Sequence, residues 1–174
     1  LNSPDSELDL LKYEDFKFDS FDKFDLEKSL NGIIGLENVK DFVRTQYRLL
    51  VANEKRRKAG IIVDSTQSLN MIFTGNPGTG KTTVARIMAS MFKDMGLLKK
   101  GHLVETDRSG LVAEYVGQTA KKTKELFLSA LGGVLFIDEA YALSNDNGSF
   151  GKEAIDTLIK LIEDYHGEIA VILA

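Results

Sequence analysis

The chain has 174 residues, 43% of them hydrophobic, enough for one compact α/β domain with its own core and too few for two large ones. A formal net charge of −4 and a pI of about 5.3 argue against a protein that holds nucleic acid mainly through phosphate neutralisation. The absence of cysteine excludes a disulfide framework and a thiolate metal site, which suits a cytosolic protein, and no apolar run approaches the length of a membrane span.

The chain opens on Leu1 without a charged-then-apolar signal segment, and we expect it to be a piece of a longer protein. In residues 1–28, nine acids face four lysines, a net of −5, whereas the rest of the chain is close to neutral. Phe16, Phe18, Phe21 and Phe24 are interleaved with these charges in neither a helical stripe nor a strand alternation. Residues 1–29 therefore read as an acidic, phenylalanine-containing linker or a docking segment. From Leu30 the chain turns apolar, and Val39, Phe42, Val43, Tyr47 and Leu50 mark the expected buried face of a helix. Lys55, Arg56, Arg57 and Lys58 crowd its C-terminal end, where cations suit the helix dipole, and Gly60 is a stop.

Residues 69–74, Leu-Asn-Met-Ile-Phe-Thr, read as a buried parallel strand that ends at a glycine. The next stretch, Gly75-Asn76-Pro77-Gly78-Thr79-Gly80-Lys81-Thr82, matches the phosphate-binding pattern G-x-x-x-x-G-K-[ST]. Its glycines let the backbone curl until successive N–H groups point inward at phosphate oxygens. Lys81 would set a positive charge on the β- and γ-phosphates, and Thr82 would offer a hydroxyl to Mg²⁺. A helix follows, with Val84, Ile87, Met88, Met91, Phe92 and Met95 on one face and Gly96 as its stop; its positive end adds to the same anion site.

Residues 101–106 read as a second strand, centred on Leu103 and Val104. A loop containing Tyr115, Val116 and Gly117 follows, and Thr119 is the expected cap of the next helix, whose apolar residues are Leu126, Phe127, Ala130 and Leu131. Lys121, Lys122 and Lys124 fall on its polar side. Val134-Leu135-Phe136-Ile137-Asp138-Glu139 describes a buried strand that delivers two carboxylates at its C-terminal end, where open α/β sheets bind their ligands. Asp138 fits a magnesium-holding acid, and Glu139 fits the group that polarises an attacking water. Residues 144–151 read as a polar loop, Ile155, Leu158, Ile159 and Ile162 as an amphipathic helix, and residues 168–174 as a further strand. The two histidines, His102 and His166, are too few for a metal centre and are assigned structural roles.

Taken together, residues 30–174 resemble the AAA+ ATPases, and more narrowly their CbxX/CfqX-type branch. The resemblance rests on the 75–83 run through Thr83, on Tyr115-Val116-Gly117 ahead of Gln118-Thr119-Ala120, on Asp138-Glu139-Ala140-Tyr141, and on Gly151-Lys152-Glu153-Ala154-Ile155-Asp156. It implies a three-layer α/β fold, a P-loop parallel sheet with helices on both faces, here a partial AAA+ nucleotide-binding domain. It implies ATP and Mg²⁺ as cofactors, with Asn76, Pro77, Gly78, Thr79, Gly80, Lys81, Thr82 and Thr83 around the phosphates and Ile34 and Gly35 near the adenine. It implies a homo-oligomer, a hexameric ring in the full-length parent, that threads or remodels a protein substrate with Tyr115, Val116 and Gly117 as pore loop. In the family the fold continues with a sensor, an arginine finger, a fifth strand flanking the phosphate-loop strand and a helical lid, all of which would lie beyond Ala174. No arginine here is assignable as the finger, so this chain is expected to bind ATP better than it hydrolyses it. Two other readings stay open: an AAA+ motor acting on DNA, which the pI and the aromatic triplet oppose, and an ATP-dependent interaction module with little hydrolysis, which Glu139 opposes.

Overall fold

A computed structural model describes residues 24–62, 68–145 and 149–174. Most of the 1–29 segment, with Phe16, Phe18 and Phe21, lies outside the described residues. Four strands, β1 (Met71–Ile72), β2 (Leu103–Thr106), β3 (Val134–Ile137) and β4 (Ala170–Leu173), pair in parallel in the order β1-β4-β3-β2. Ile72, Leu173, Ile137 and Thr106 stand in register across the sheet, so all four strands end on one row. Whatever follows them is delivered to a single ridge.

Helices α1 (Leu26–Asn31), α2 (Glu37–Lys58) and α3 (Lys81–Asp94) share one core, and α4 (Arg108–Leu111), α5 (Thr119–Ser129), α6 (Tyr141–Ser144) and α7 (Ser149–Asp164) share another. The pleat of β3 divides the two. Val134 and Phe136 point into the core of α3, while Leu135 and Ile137 point into that of α5 and α7, and all four are fully buried. This is the three-layer arrangement with helices on both faces that parallel sheets require. Phe92, Phe127 and Phe136 are the largest fully buried side chains, each adding about 1.5–3 kcal/mol by leaving water.

Several local expectations change. The strand at residues 69–74 pairs regularly only over Met71–Ile72 and lies at the sheet edge, with Ile72 74% exposed rather than buried. Its pairing is extended by other means: Phe73 N–H donates to Leu173 O at 2.7 Å, and Val171 N–H donates to the side chain of Asn70 at 2.8 Å. On α2, Val43 and Leu50 are buried but Phe42 is 47% exposed, and on α7 the buried stripe is Gly151, Ala154, Leu158 and Leu161, leaving Ile159 exposed. Thr119 does not cap α5. It is the first helical residue, fully buried, and its hydroxyl accepts the Ala113 N–H. The polar stretch at 144–151 is shorter than expected, because α7 has already begun at Ser149.

Helix α1 runs across the expected boundary at residues 29 and 30, with Leu26 and Leu30 in the core and Asp25 capping it through the Lys28 N–H. Arg44 of α2 grips Glu27 of α1 with Nε and Nη2, both at 3.0 Å. The Arg44 hydrogen bond is the main cause that holds the Glu27 carboxyl below its ordinary range. His102 Nε2 donates to Ser129 O at 2.9 Å, and the His166 backbone N–H donates to Glu163 O at the end of α7, both structural placements. Among the described residues, no helix is long and apolar enough to cross a membrane.

Candidate nucleotide-binding site

The loop at residues 75–80 joins the end of β1 to α3. Gly78 and Gly80 take φ of 76° and 86°, a left-handed conformation that costs a glycine little and other residues more. Gly80 is also the N-cap of α3, and no side chain caps that helix. The first N–H groups of a helix have no partner within it, and a helix start left uncapped is the arrangement that suits an anion. Thr79 Oγ1 donates to Asn76 O at 2.8 Å and braces the loop from within. Lys81 Nζ donates to Gly75 O at 3.1 Å and to Asn76 O at 3.4 Å, so the ammonium is already inside the loop. Asn76, Pro77, Gly78, Thr79 and Thr83 are exposed, and Thr82 is half-buried.

Asp138 and Glu139 leave the end of β3 on the same ridge. The Asp138 N–H donates to Thr106 O at 2.8 Å, and Asp138 Oδ1 accepts the Glu139 N–H at 3.1 Å. Glu139 has φ of 50°, a conformation that residues with a side chain adopt at a cost, and it is exposed. The turn is held on either side by Ala140 N–H to Ala174 O at 2.9 Å and by Ala142 N–H to Glu139 O at 2.8 Å. Only β4 separates β1 from β3, so the loop and the acid pair stand two strand spacings apart, about 10 Å.

The other expected residues are placed as follows. Gly35 has φ of 72° and Leu36 φ of 58°, and together they turn the chain into α2. The Leu36 side chain lies 4.0 Å from where a Cβ on Gly80 would stand, which sets this turn against the start of α3, and Ile34 is 98% exposed beside it. Tyr115 and Val116 are exposed and Gly117 has φ of 77°; they form the tip of the α4–α5 loop. Below that tip, Asp107 accepts from the Ser109 hydroxyl and from the Ser109 and Gly110 N–H groups, which hold its carboxyl below the ordinary range.

One residue at the site is not legible from sequence. Glu105 of β2 accepts the Thr82 hydroxyl at 3.1 Å and Arg86 Nη2 at 3.2 Å. No motif contains it; an acid facing α3 from an otherwise apolar strand was the available signal. Among the described residues, no cluster of three or more His, Asp or Glu could hold a metal by itself. One hydroxyl and one carboxylate are instead what Mg²⁺ uses when phosphate oxygens and water complete its shell, so Thr82 and Asp138 fit a metal that arrives with nucleotide.

A family model described as "ATPase family associated with various cellular activities (AAA)" matches residues 71–174. The chain is 48% identical over 151 residues to stage V sporulation protein K of Bacillus subtilis (strain 168), covering 86% of this chain and 47% of that protein. It is 47% identical over 151 residues to protein CbbX of Cereibacter sphaeroides, covering 86% and 48%. It is 47% identical over 151 residues to a chloroplastic ribulose bisphosphate carboxylase/oxygenase activase of Cyanidioschyzon merolae (strain NIES-3377 / 10D), covering 86% and 49%. The chain thus spans about half the length of these curated relatives. With a phosphate-type loop, a strand ending in two acids and this all-parallel sheet, the chain belongs to the AAA ATPase family and, within it, to the CbxX/CfqX-type branch.

Proposed function

We propose that the chain is the nucleotide-binding part of an ATP-driven machine that remodels or threads a protein substrate as a ring oligomer. The observation that carries this is the delivery of the 75–80 loop and of Asp138 and Glu139 to one ridge of strand ends, with Lys81 Nζ inside the loop. Open α/β sheets bind ligands on that ridge. In this reading, residues 30–174 are the nucleotide-binding domain, a partial AAA+ module, and α1 packs onto its core.

ATP would lie with its phosphates on the N-terminus of α3, where the loop N–H groups and Lys81 offset negative charge. Lys81 exchanges its bonds to the Gly75 and Asn76 carbonyls for phosphate oxygens. Mg²⁺, when bound, would offset the negative charge of the phosphates. Thr82 and Asp138 would hold it. Glu139, aimed outward by its left-handed backbone, orients and polarises the attacking water. Ile34 and Gly35 border the adenine from the turn that abuts Gly80. Tyr115, Val116 and Gly117 grip the protein substrate, and the absence of cysteine fits work in the cytosol.

The test is ATP binding and single-turnover hydrolysis measured in parallel on the chain, on Lys81→Ala and on Glu139→Gln. Lys81-dependent binding with slow turnover, slower still in Glu139→Gln, is the expected result, because no arginine here is assigned as a finger. Binding that ignores Lys81 would overturn the site. Stimulation of turnover by DNA rather than by unfolded protein would overturn the substrate class.

A further inference from the structure

The alternation of β2 sends Leu103 and Glu105 toward α3 and Val104 toward the opposite core. A carboxylate on that inward face departs from the apolar pattern of a covered parallel sheet, and its position near the strand's C-terminal end leaves its side chain 44% exposed. Its two oxygens are both used, and by residues one turn apart on α3. Oε1 accepts from Thr82 Oγ1 at 3.1 Å, and Oε2 accepts from Arg86 Nη2 at 3.2 Å. Asp138, the acid expected at the metal, meanwhile takes the Glu139 N–H at 3.1 Å rather than the Thr82 hydroxyl.

A threonine hydroxyl has one hydrogen and two lone pairs, and it rotates to suit its partners. With the hydrogen committed to Glu105, the lone pairs of Thr82 are turned away from β2, free for another partner. We propose that Glu105 is a positioning residue for the metal site: it fixes the Thr82 hydroxyl so that the oxygen presents lone pairs to the Mg²⁺ that enters with ATP. Arg86 holds the second carboxylate oxygen and so fixes the first. This inference rests on the nucleotide reading above and deepens it, since it adds a residue that no motif marks.

Partners of this kind, which orient a metal ligand without touching the metal, commonly change metal affinity by about 10–100-fold when removed. Partial exposure of Glu105 sets the expectation at the lower end, about tenfold. The experiment is titration of the chain with a fluorescent ATP analogue, once in excess Mg²⁺ and once in excess chelator. For Glu105→Ala, affinity in Mg²⁺ should fall about tenfold while affinity in chelator does not fall. Glu105→Gln keeps the side-chain length and an oxygen that accepts the Thr82 hydrogen, so its loss should be smaller, and it remains informative if the alanine variant does not fold. In a Thr82→Val background, Glu105→Ala should add nothing further, as expected when one residue acts through the other.

An unchanged ratio of the two affinities in Glu105→Ala would overturn the inference, because Glu105 would then act only as a nearby charge. Full additivity with Thr82→Val would overturn it as well. Failure of the parent chain to bind nucleotide through Lys81 removes the site reading and this inference together. Lys81-dependent binding with no effect of Glu105 removes only the inference.

Discussion

The loop at residues 75–80 and the loop at residues 112–118 are held in opposite ways. In the first, the bracing is internal: the Thr79 hydroxyl and N–H and the Lys81 ammonium all bond the loop's own carbonyls, and no side chain caps α3 behind it. In the second, the bracing comes from α5 below. Thr123 Oγ1 donates to Leu111 O at 3.0 Å, Lys122 Nζ donates to Ser109 O at 2.7 Å and Val112 O at 2.9 Å, and Thr119 Oγ1 accepts the Ala113 N–H at 3.2 Å. The base of this loop is fixed while Tyr115 and Val116 stand in water. The tip itself is closed by one backbone bond, Gln118 N–H to Tyr115 O at 3.3 Å. A loop shaped throughout suits a ligand of one shape, and a loop fixed mainly at its base suits partners of many.

The largest effect should come from Lys81→Ala. Hydrogen bonds to charged groups are each worth about 1.5–3 kcal/mol, so the loss of the ammonium should weaken ATP binding on the order of a hundredfold. Because, among the described residues, Lys81 bonds only carbonyls of its own loop, the melting midpoint should barely move. Isothermal titration and a thermal melt separate the two. A large fall in melting temperature would show that the lysine is structural, and the contrast between the loops would then fail.

Next in size is Thr123→Val. Thr123 is fully buried and its hydroxyl is bonded to Leu111 O, so the variant leaves a buried carbonyl without this donor, at a cost of about 1–3 kcal/mol. For a chain of this size each kcal/mol lowers the melting midpoint by roughly 2–4 °C. Amide exchange across residues 111–118 should quicken while ATP affinity stays as in the parent. If exchange quickens equally in the 75–80 loop, the two loops are not held independently.

A finer comparison uses two glycines with similar backbones. Gly80 has φ of 86° and Gly117 φ of 77°, and neither has backbone crowding the space of a Cβ. Alanine at either site bears a similar conformational cost, about 1–2 kcal/mol if the backbone does not relax. Gly117 sits at an open tip that can relax, whereas Gly80 is locked between the phosphate loop and α3. Gly80→Ala should therefore weaken ATP binding several-fold, and Gly117→Ala should leave affinity and stability within error. Equal effects would mean that the tip is as constrained as the phosphate loop.

The glycine-rich 75–80 turn, the buried strand that ends before Asp138 and Glu139, and the α3 helix were legible in sequence because each is a pattern in consecutive residues. What escaped it depended on partners distant in the chain. Phe42 and Ile159 were placed on buried faces, yet each lies one residue from a stripe that faces the core, a rotation of about 100° that composition alone does not resolve. Thr119 looked like a cap because it precedes a helix, but burial redirected its hydroxyl to Ala113. The helices α4 and α6 have four residues each, too few to show a period. Glu105 belongs to no motif, its one local signal being an acid in a mostly apolar strand, and it becomes part of the site only when the parallel crossover brings β2 beside α3.

The smallest expected effect concerns acid, and it sets the two regions against each other once more. Glu27 ties α1 to α2, whose N-cap residue Leu36 lies against Gly80; Asp107 caps the α4 turn at the base of the other loop. Both carboxyls are held below their ordinary values, 4.5 for Glu27 and 3.8 for Asp107, the first mainly by the Arg44 hydrogen bond and the second mainly by that of Ser109. A lowered folded-state pKa means that folding favours the ionised form. The stability each contributes is complete above its ordinary value and is lost as pH falls through the lower, folded one. Urea midpoints followed from pH 7 downward should show the parent more stable than Glu27→Gln, with the gap closing below about pH 4.5. For Asp107→Asn the gap should persist further and close below about pH 3.8. Glu27 is half-buried and Asp107 exposed, so each gap should be small, and a gap that does not change with pH would show that the charge at that position contributes nothing to folding.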